Sequence, residues 1–158
     1  MTPAVNIVRQ ARLEYRIHEY THDAGSESYG LEAAEKLGVS PQQVFKTLVV
    51  SLDNASLAVA VVPVCTTLGL KAMARAAGAK KAVMAAQADV ERSTGYVLGG
   101  VSPLGQKKRL KTVIDDSARN YQTVYVSAGR RGLEIELAPG DLGQLVDGIF
   151  AQIGQSSS

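Results

Sequence analysis

Lys46 is the residue that most invites a chemical reading. It sits near the start of the apolar run Phe45-Lys46-Thr47-Leu48-Val49-Val50 and shares a strand face with Leu48 and Val50. A cation on an apolar face is costly unless it is paired or reaches water or a cleft. Two readings follow: a strand-end lysine snorkelling to solvent, or an ammonium aimed into a pocket to bind a phosphate or carbonyl oxygen. A second candidate is the glycine-rich stretch from Ser93 to Gln106. Glycines let backbone N–H groups approach a ligand closely, as an oxyanion or phosphate cradle requires. Gly100 to Lys107 nearly copies a P-loop spacing, but Gln106 stands at the lysine position, Lys107 at the Ser/Thr position, and Pro103 removes an N–H. A nucleotide triphosphatase is thereby rejected, and a plain structural loop stays open. The third candidate is Lys107, Lys108, Arg109 and Lys111, a basic strip just after that loop. It reads either as a solvated face or as a grip on nucleic-acid phosphates with a strong salt dependence.

Other reactive types carry less. His18 and His22 have a helical metal-ligand spacing but straddle a strand end and lack a third soft ligand, so no metal site is expected. Cys65 lies in an apolar run beside Pro63 with no His–acid pair spaced to activate it, and reads as a packing residue. Glu134 and Glu136 alternate with Leu133, Ile135 and Leu137, which turns both off the core face, solvated or lining a cleft.

The elements that must position these groups belong to a chain of 158 residues with 46% hydrophobic and 20% charged residues and a net charge of +2. That balance excludes a disordered tail, a coiled coil and a collagenous chain. One cysteine excludes an internal disulfide framework and a multi-cysteine zinc site. The N-terminus has no basic patch followed by an apolar run, so no secretory signal is expected. The longest charge-free stretch, Asn54 to Leu70, is too short and too polar to span a bilayer. A cytoplasmic protein is the expectation.

The pattern predicts one domain over residues 1–154 and a frayed tail over 155–158. Thr2 and Pro3 start a helix with Val5, Val8 and Ala11 on one face. Leu13 to Tyr20 alternates as a half-buried strand, and His22 to Ser28 is loop. Leu31, Ala34 and Leu37 mark a helix stopped by Gly38, and Ser40-Pro41-Gln42-Gln43 suits a capping box opening another helical turn. Val44–Leu52 and Leu57–Val62 are buried strands joined by a hairpin at Asp53-Asn54-Ala55. Helices are expected at Leu70–Ala77 and Ala85–Arg92, and Tyr96–Gly105 is loop. Strands are expected at Leu110–Ile114, Thr123–Ser127 and Leu133–Leu137, followed by a last helix from Pro139 with Leu142, Leu145, Val146 and Ile149 inward. Strands and helices mix without regular βαβ alternation, which favours an α+β domain with a mixed sheet.

Five segments together resemble the YbaK/EbsC family of free-standing aminoacyl-tRNA editing domains. They are Glu32–Gly38, Phe45–Val50, Ser93–Tyr96, Gly99–Lys108 and Ser127–Glu134, in the family's order and spread over nearly the whole chain. The resemblance is to the Cys-tRNA(Pro) deacylase branch, whose domain also occurs as an editing insertion in bacterial prolyl-tRNA synthetases. It implies an α+β fold with a mixed, partly barrel-like sheet surrounded by helices. It implies removal of cysteine from mischarged Cys-tRNA(Pro), with Cys-tRNA(Cys) as a further substrate, because pocket size alone separates cysteine from proline weakly. The implied partners are the tRNA acceptor end and prolyl-tRNA synthetase; a monomer with no membrane, cofactor or metal is the expectation.

Carried over residue by residue, the resemblance makes Lys46 the essential lysine and Tyr20 the tyrosine ending the first strand, both catalytic. Tyr29, Thr47, Gly99, Gly100, Ser102, Ser127 and Glu134 become substrate-binding, and Lys107, Lys108 and Arg109 tRNA-binding. Tyr29 stands where Phe is frequent, and Glu134 where Asp is frequent. The implied mechanism is substrate-assisted: the cysteinyl thiol attacks its own ester carbonyl and leaves as a thiolactone. The protein then only positions the ester and stabilises the oxyanion, with Lys46 and the N–H groups near Gly99 and Gly100 as donors and Tyr20 orienting the aminoacyl group or terminal ribose. A deacylase for alanine or another small amino acid, and a non-catalytic RNA- or protein-binding module, are the alternatives.

Overall fold

The computed structural model describes residues 1–25 and 28–156. Ser26 and Glu27 of the expected loop, and Ser157 and Ser158 of the expected tail, lie outside the described residues. Among the described residues five helices and ten strands form an α+β fold: α1 (Pro3–Ala11), β1 (Tyr15–Glu19), α2 (Tyr29–Leu37), β2 (Phe45–Leu52), β3 (Ser56–Pro63), β4 (Thr66–Leu68), α3 (Leu70–Ala76), β5 (Ala82–Met84), α4 (Gln87–Thr94), β6 (Lys111–Asp115), β7 (Val124–Arg130), β8 (Leu133–Leu137), α5 (Pro139–Val146), β9 (Ile149–Ala151) and β10 (Gly154–Ser156). A short 3-10 turn links β6 to β7.

The larger sheet has the order β5-β2-β3-β6-β9, with β3–β6 and β6–β9 parallel, and so is mixed as the pattern predicts. A second sheet has the order β1-β8-β7, all antiparallel. The two meet at one parallel bridge, Val44 with Tyr125. The β2–β3 hairpin turns through Asp53, Asn54 and Ala55; Asp53 and Asn54 are left-handed at φ 51° and 56°, as the central residues of a type I′ turn must be, and Ala55 N–H donates to the Leu52 carbonyl (2.9 Å). Pro63 ends β3 opposite Phe45. Val64 N–H donates to the Val44 carbonyl, so the Phe45–Pro63 pair is the non-hydrogen-bonded kind and the missing proline N–H costs nothing.

One face of the joined sheets carries Phe45, Val49, Val59, Val61, Val126 and Ile135 into the main core, closed by α1 and α5. The opposite face of β2 and β3 packs Val50, Ala58, Ala60 and Val62 against Met73 and Ala74 of α3. Where that face continues onto β7, Tyr125 packs with Val44 under Ala33 and Ala34 of α2. Thr2 caps α1 as expected, its hydroxyl accepting from Val5 N–H at 3.2 Å, and Val5 and Val8 are buried; Ala11 is exposed.

Several local expectations fail for visible reasons. Ser40–Gln43 forms only a turn, because Gln43 spends its main-chain carbonyl on Tyr125 N–H and its side-chain Nε2 on the Thr123 carbonyl (2.8 Å), which ties it to β7. The three-residue strand β5 was too short to leave a period, and α4 starts two residues later than Ala85. Ile149 is 47% exposed and belongs to β9, since α5 closes at a left-handed Asp147. Gln155 and Ser156 are not frayed but pair with Thr67 and Thr66. Asp115 anchors them: its carboxylate accepts from Ile153 N–H (2.9 Å), Gly154 N–H (2.7 Å) and Ser117 Oγ (2.6 Å). Burial pushes that carboxyl up, but these bonds outweigh it and hold it below its ordinary value.

Candidate active site

The edge of β2 facing away from β3 is paired at both ends and open in the middle. Val50, Ser51 and Leu52 pair with β5, and Val44 bridges to β7. The ladder parity is fixed by Val44 O facing β3, and by Gln43 O and Val49 O accepting from Tyr125 and Ala85 on the outer edge. Odd-numbered residues of β2 therefore turn their peptide groups outward, which sets the N–H and C=O of Thr47 on the open stretch. A cleft of about 370 Å³ occupies this gap.

Side-chain parity then decides what enters the cleft. Val44 and Tyr125 are parallel partners, and two residues further along both strands come Lys46 and Ser127. Ser127 is in turn the antiparallel partner of Glu134 on β8, and Glu134 the partner of His18 on β1. Directly paired residues share a sheet face, as do residues two apart on one strand, so Lys46, Ser127 and Glu134 turn to one face, Ser127 and Glu134 as direct partners and Lys46 across the gap where β2 has no outer neighbour. Tyr20 follows His18 on the same face, its N–H bonded to the Gly132 carbonyl (3.0 Å). A register shift between Ser127 and Arg130, with Gly129 at φ 111°, breaks the β7–β8 ladder just past Ser127. Such bulges bend a strand and re-aim its side chains.

Lys46 is half-buried and its Nζ donates to the Thr66 carbonyl (2.7 Å). Burial lowers its pKa, offset in part by Cys65. The ammonium makes no ion pair among the described residues, so two of its three donors stay available. Glu134 is 6% exposed and also makes no ion pair or hydrogen bond among the described residues. Burial alone pushes its pKa up to about 8, so near neutral pH it is an uncharged acid. Of the two readings that alternation left open, solvated or lining a cleft, the structure gives Glu134 the second. Burial also raises the Tyr20 hydroxyl, and Glu134 adds to the rise. Thr47 Oγ1 is buried with no hydrogen-bond partner.

The sequence candidates divide cleanly. Tyr20, Tyr29, Lys46, Thr47, Gly99, Ser127 and Glu134 all line the cleft. Gly100 and Ser102 do not. Gly100 N–H is taken by the Val97 carbonyl (2.9 Å), and a Cβ there would lie 2.9 Å from Arg130 Cα, so its role is close packing rather than oxyanion donation. Ser102 is fully buried and its hydroxyl accepts from Leu104 N–H (3.1 Å), a local turn bond. Lys107, Lys108 and Arg109 are exposed but lie away from the cleft; Lys108 and Arg109 border a separate groove with Ile7 and Leu145. The Lys107 and Lys108 amides cap the Thr94 and Ser93 carbonyls at the C-terminus of α4, where cations also suit the helix dipole.

Sequence reasoning missed Arg131. Its guanidinium carbon lies 3.7 Å above the Tyr29 ring centroid, and Nη1 is 3.5 Å from His22 Nε2. A Cβ on Gly99 would meet its Nε at 2.5 Å, so the side chain lies directly over that glycine. Arg131 thus ties α2, the His22 loop and the Gly99 loop together at the cleft rim. His22 is held in turn by Glu32 (Nδ1 to Oε1, 2.6 Å). His18 bonds Glu136 at 2.9 Å. The two histidines serve different carboxylates, and no group of metal-ligating side chains occurs among the described residues. No described helix is long and apolar enough to cross a membrane.

A partly polar cleft at a sheet edge, holding an unpaired lysine and an uncharged acid, is a site for a small carbonyl compound with a polar handle. Residues 27–145 match the family model of the aminoacyl-tRNA editing domain, and the chain belongs to that family. Over 154 residues, covering 96% of this chain and 92% of the relative, it is 40% identical to EbsC of Enterococcus faecalis (strain ATCC 700802 / V583), provisionally assigned as a Cys-tRNA(Pro)/Cys-tRNA(Cys) deacylase. Among solved structures, the hypothetical protein APE2540 superposes with a TM-score of 0.85 at 28% identity, covering 97% of this chain and 99% of that one. A protein described as a trans-editing enzyme for prolyl-tRNA synthetase superposes at 0.82 with 22% identity, covering 99% of each chain; that likeness speaks for the fold.

Proposed function

We propose that this protein is an aminoacyl-tRNA deacylase that removes cysteine from mischarged Cys-tRNA(Pro), and also acts on Cys-tRNA(Cys). The supporting observation is the unpaired Lys46 ammonium on the open edge of β2, in a cleft whose described lining holds neither Cys nor His. Such a cleft offers electrostatic stabilisation of a developing oxyanion. The nucleophile in this reading is the substrate's own cysteinyl thiol, as the family resemblance implies.

The substrate sulfur attacks the ester carbonyl carbon, forming the S–C bond. The C–O bond to the terminal ribose breaks, and the thiol proton passes to the ribose oxygen. The products are tRNA and a cysteine thiolactone, which water opens to cysteine; the first step is lyase-like, the second hydrolytic. Lys46 stabilises the oxyanion, and the outward N–H of Thr47 is the natural second donor. This replaces Gly100 in that role. Tyr20 orients the ribose, and Tyr29, Gly99 and Ser127 confine the aminoacyl group. The Lys107–Arg109 strip holds tRNA phosphates beyond the cleft, and prolyl-tRNA synthetase supplies the mischarged tRNA in the cytoplasm.

Incubation with tRNA(Pro) charged with cysteine, alanine, serine or proline tests this reading. Cleavage of the cysteinyl ester well ahead of the others is expected. Preferential cleavage of the alanyl ester would reassign the substrate, and inertness toward all four would make the chain a binding module.

A further inference from the structure

Glu134 is the least explained group in the cleft. The residue is 6% exposed, without a hydrogen bond or ion pair among the described residues, and its carboxyl opens onto the same cavity as Lys46. A carboxyl this little exposed is costly to ionise until a cation arrives to pair with it. The charged and titratable groups around it are Tyr20 past β1, His18 on β1, Lys46 on β2, and Arg130 and Arg131 at the rim. None is bonded to it: His18 serves Glu136, Lys46 serves Thr66, and Arg131 serves Tyr29 and His22.

Glu134 and its partner Ser127 face Lys46 across the cleft that opens beyond the Val44–Tyr125 bridge. The Lys46 and Glu134 side chains reach into the space between. An aminoacyl ester matches this arrangement. Its carbonyl oxygen can accept from a Lys46 donor that the Thr66 carbonyl leaves free, and one carbon away it carries a cation, the α-ammonium. Resting on the deacylase reading above, we propose that Glu134 reads the free α-amino group of the aminoacyl ester, so that the cleft rejects esters whose amine is blocked, as in formyl- and peptidyl-tRNA. When the ammonium docks, the Glu134 proton leaves to solvent and a buried ion pair forms. An N-acyl amide brings no positive charge, adds bulk beside Tyr20, and leaves the acid without its partner. Discrimination of this kind is steep because the mismatched complex strands a buried polar group.

The test compares Cys-tRNA(Pro) with N-acetyl-Cys-tRNA(Pro), each rate divided by its uncatalysed hydrolysis so that intrinsic ester reactivity cancels. Both substrates keep the thiol and the carbonyl, so the nucleophile is unchanged. Wild type should prefer the free amine by about 10–100-fold in kcat/KM, the range of one hydrogen bond to a charged group. Glu134→Gln matches the resting neutral acid in shape and should fold. It should lose most of that preference, by losing activity on the free amine and not on the blocked one. Glu134→Asp should recover part of it. The inference is overturned if wild type handles both esters equally, or if Glu134→Gln keeps the wild-type ratio. Wild-type protein that fails to cleave Cys-tRNA(Pro) at all would overturn the deacylase reading itself, and this assignment with it.

Discussion

Ser127 and Glu134 are antiparallel partners on β7 and β8, and Lys46 on β2 faces them across the gap beyond the Val44–Tyr125 bridge. Three residues separated by up to 88 positions in sequence thus turn to one face. The gap is where β2 has lost its outer neighbour, so they open onto a cavity instead of another strand.

That placement has a cost that pH exposes. Glu134 has a folded pKa of about 8 against an ordinary 4.5, because burial disfavours its ionised form. Between those values the unfolded chain releases a proton that the folded protein keeps. Folding stability from this group is therefore fully present below pH 4.5 and is lost as pH rises toward 8. Urea midpoints at pH 5, 7 and 9 should show wild type falling relative to Glu134→Gln, with the variant the more stable at pH 9. Parallel pH profiles for the two proteins would contradict a buried neutral acid.

Arg131 should matter for holding substrate more than for turnover. It lies across Gly99 and over Tyr29 at the rim, with no contact to Lys46. Arg131→Ala should raise KM about tenfold, as for loss of one charge-assisted contact, with kcat little changed. Steady-state kinetics on Cys-tRNA(Pro) decide it, and a kcat collapse at unchanged KM would move Arg131 into the chemical step.

The identity of the nucleophile is separable from the identity of the enzyme. A serinyl ester is close in size to a cysteinyl one, but its hydroxyl is a far poorer nucleophile near neutral pH. Ser-tRNA(Pro) should bind comparably and be cleaved very slowly, while Cys65→Ser should have little effect on Cys-tRNA(Pro). Fast cleavage of the serinyl ester would point to an activated water, and a folded but dead Cys65→Ser protein to an enzyme thiol.

Much of this arrangement was legible in the chain, and the exceptions are instructive. Phe45–Val50 announced a buried strand, and the lone Lys46 within it announced a site. Resemblance, not periodicity, supplied Tyr20, Thr47 and Ser127. Alternation gave Glu134 its correct face but could not say that α2 and the β2 edge roof that face, because burial there depends on strands far apart in sequence. Gly100 and Ser102 looked like ligand contacts because a glycine-rich loop serves close packing and close ligand approach with the same residues. Arg131 left no signal, since an arginine in a turn is usually solvent-exposed. Gln155 and Ser156 read as tail because the anchor that orders them, Asp115, lies 38 residues before Ile153.

The basic strip has a structural role at the end of α4, and tRNA binding would be a second role. Replacing Lys107, Lys108 and Arg109 together by neutral residues should weaken tRNA affinity and lower the slope of log affinity against log salt by about two to three. Single-turnover cleavage at saturating protein should change much less. Unchanged affinity and slope would leave the strip as a helix-end feature alone.

The central claim is that Lys46, unpaired on the open edge of β2, stabilises the transition state of Cys-tRNA(Pro) deacylation. Single-turnover deacylation by wild type and Lys46→Ala, each with its fold verified by circular dichroism, tests it most directly. Removing one main-chain carbonyl contact from a half-buried side chain should leave the fold intact. The account predicts a rate lower by ~10²–10³ for the variant, the usual cost of losing an oxyanion donor. A folded Lys46→Ala protein that deacylates Cys-tRNA(Pro) at the wild-type rate would contradict it.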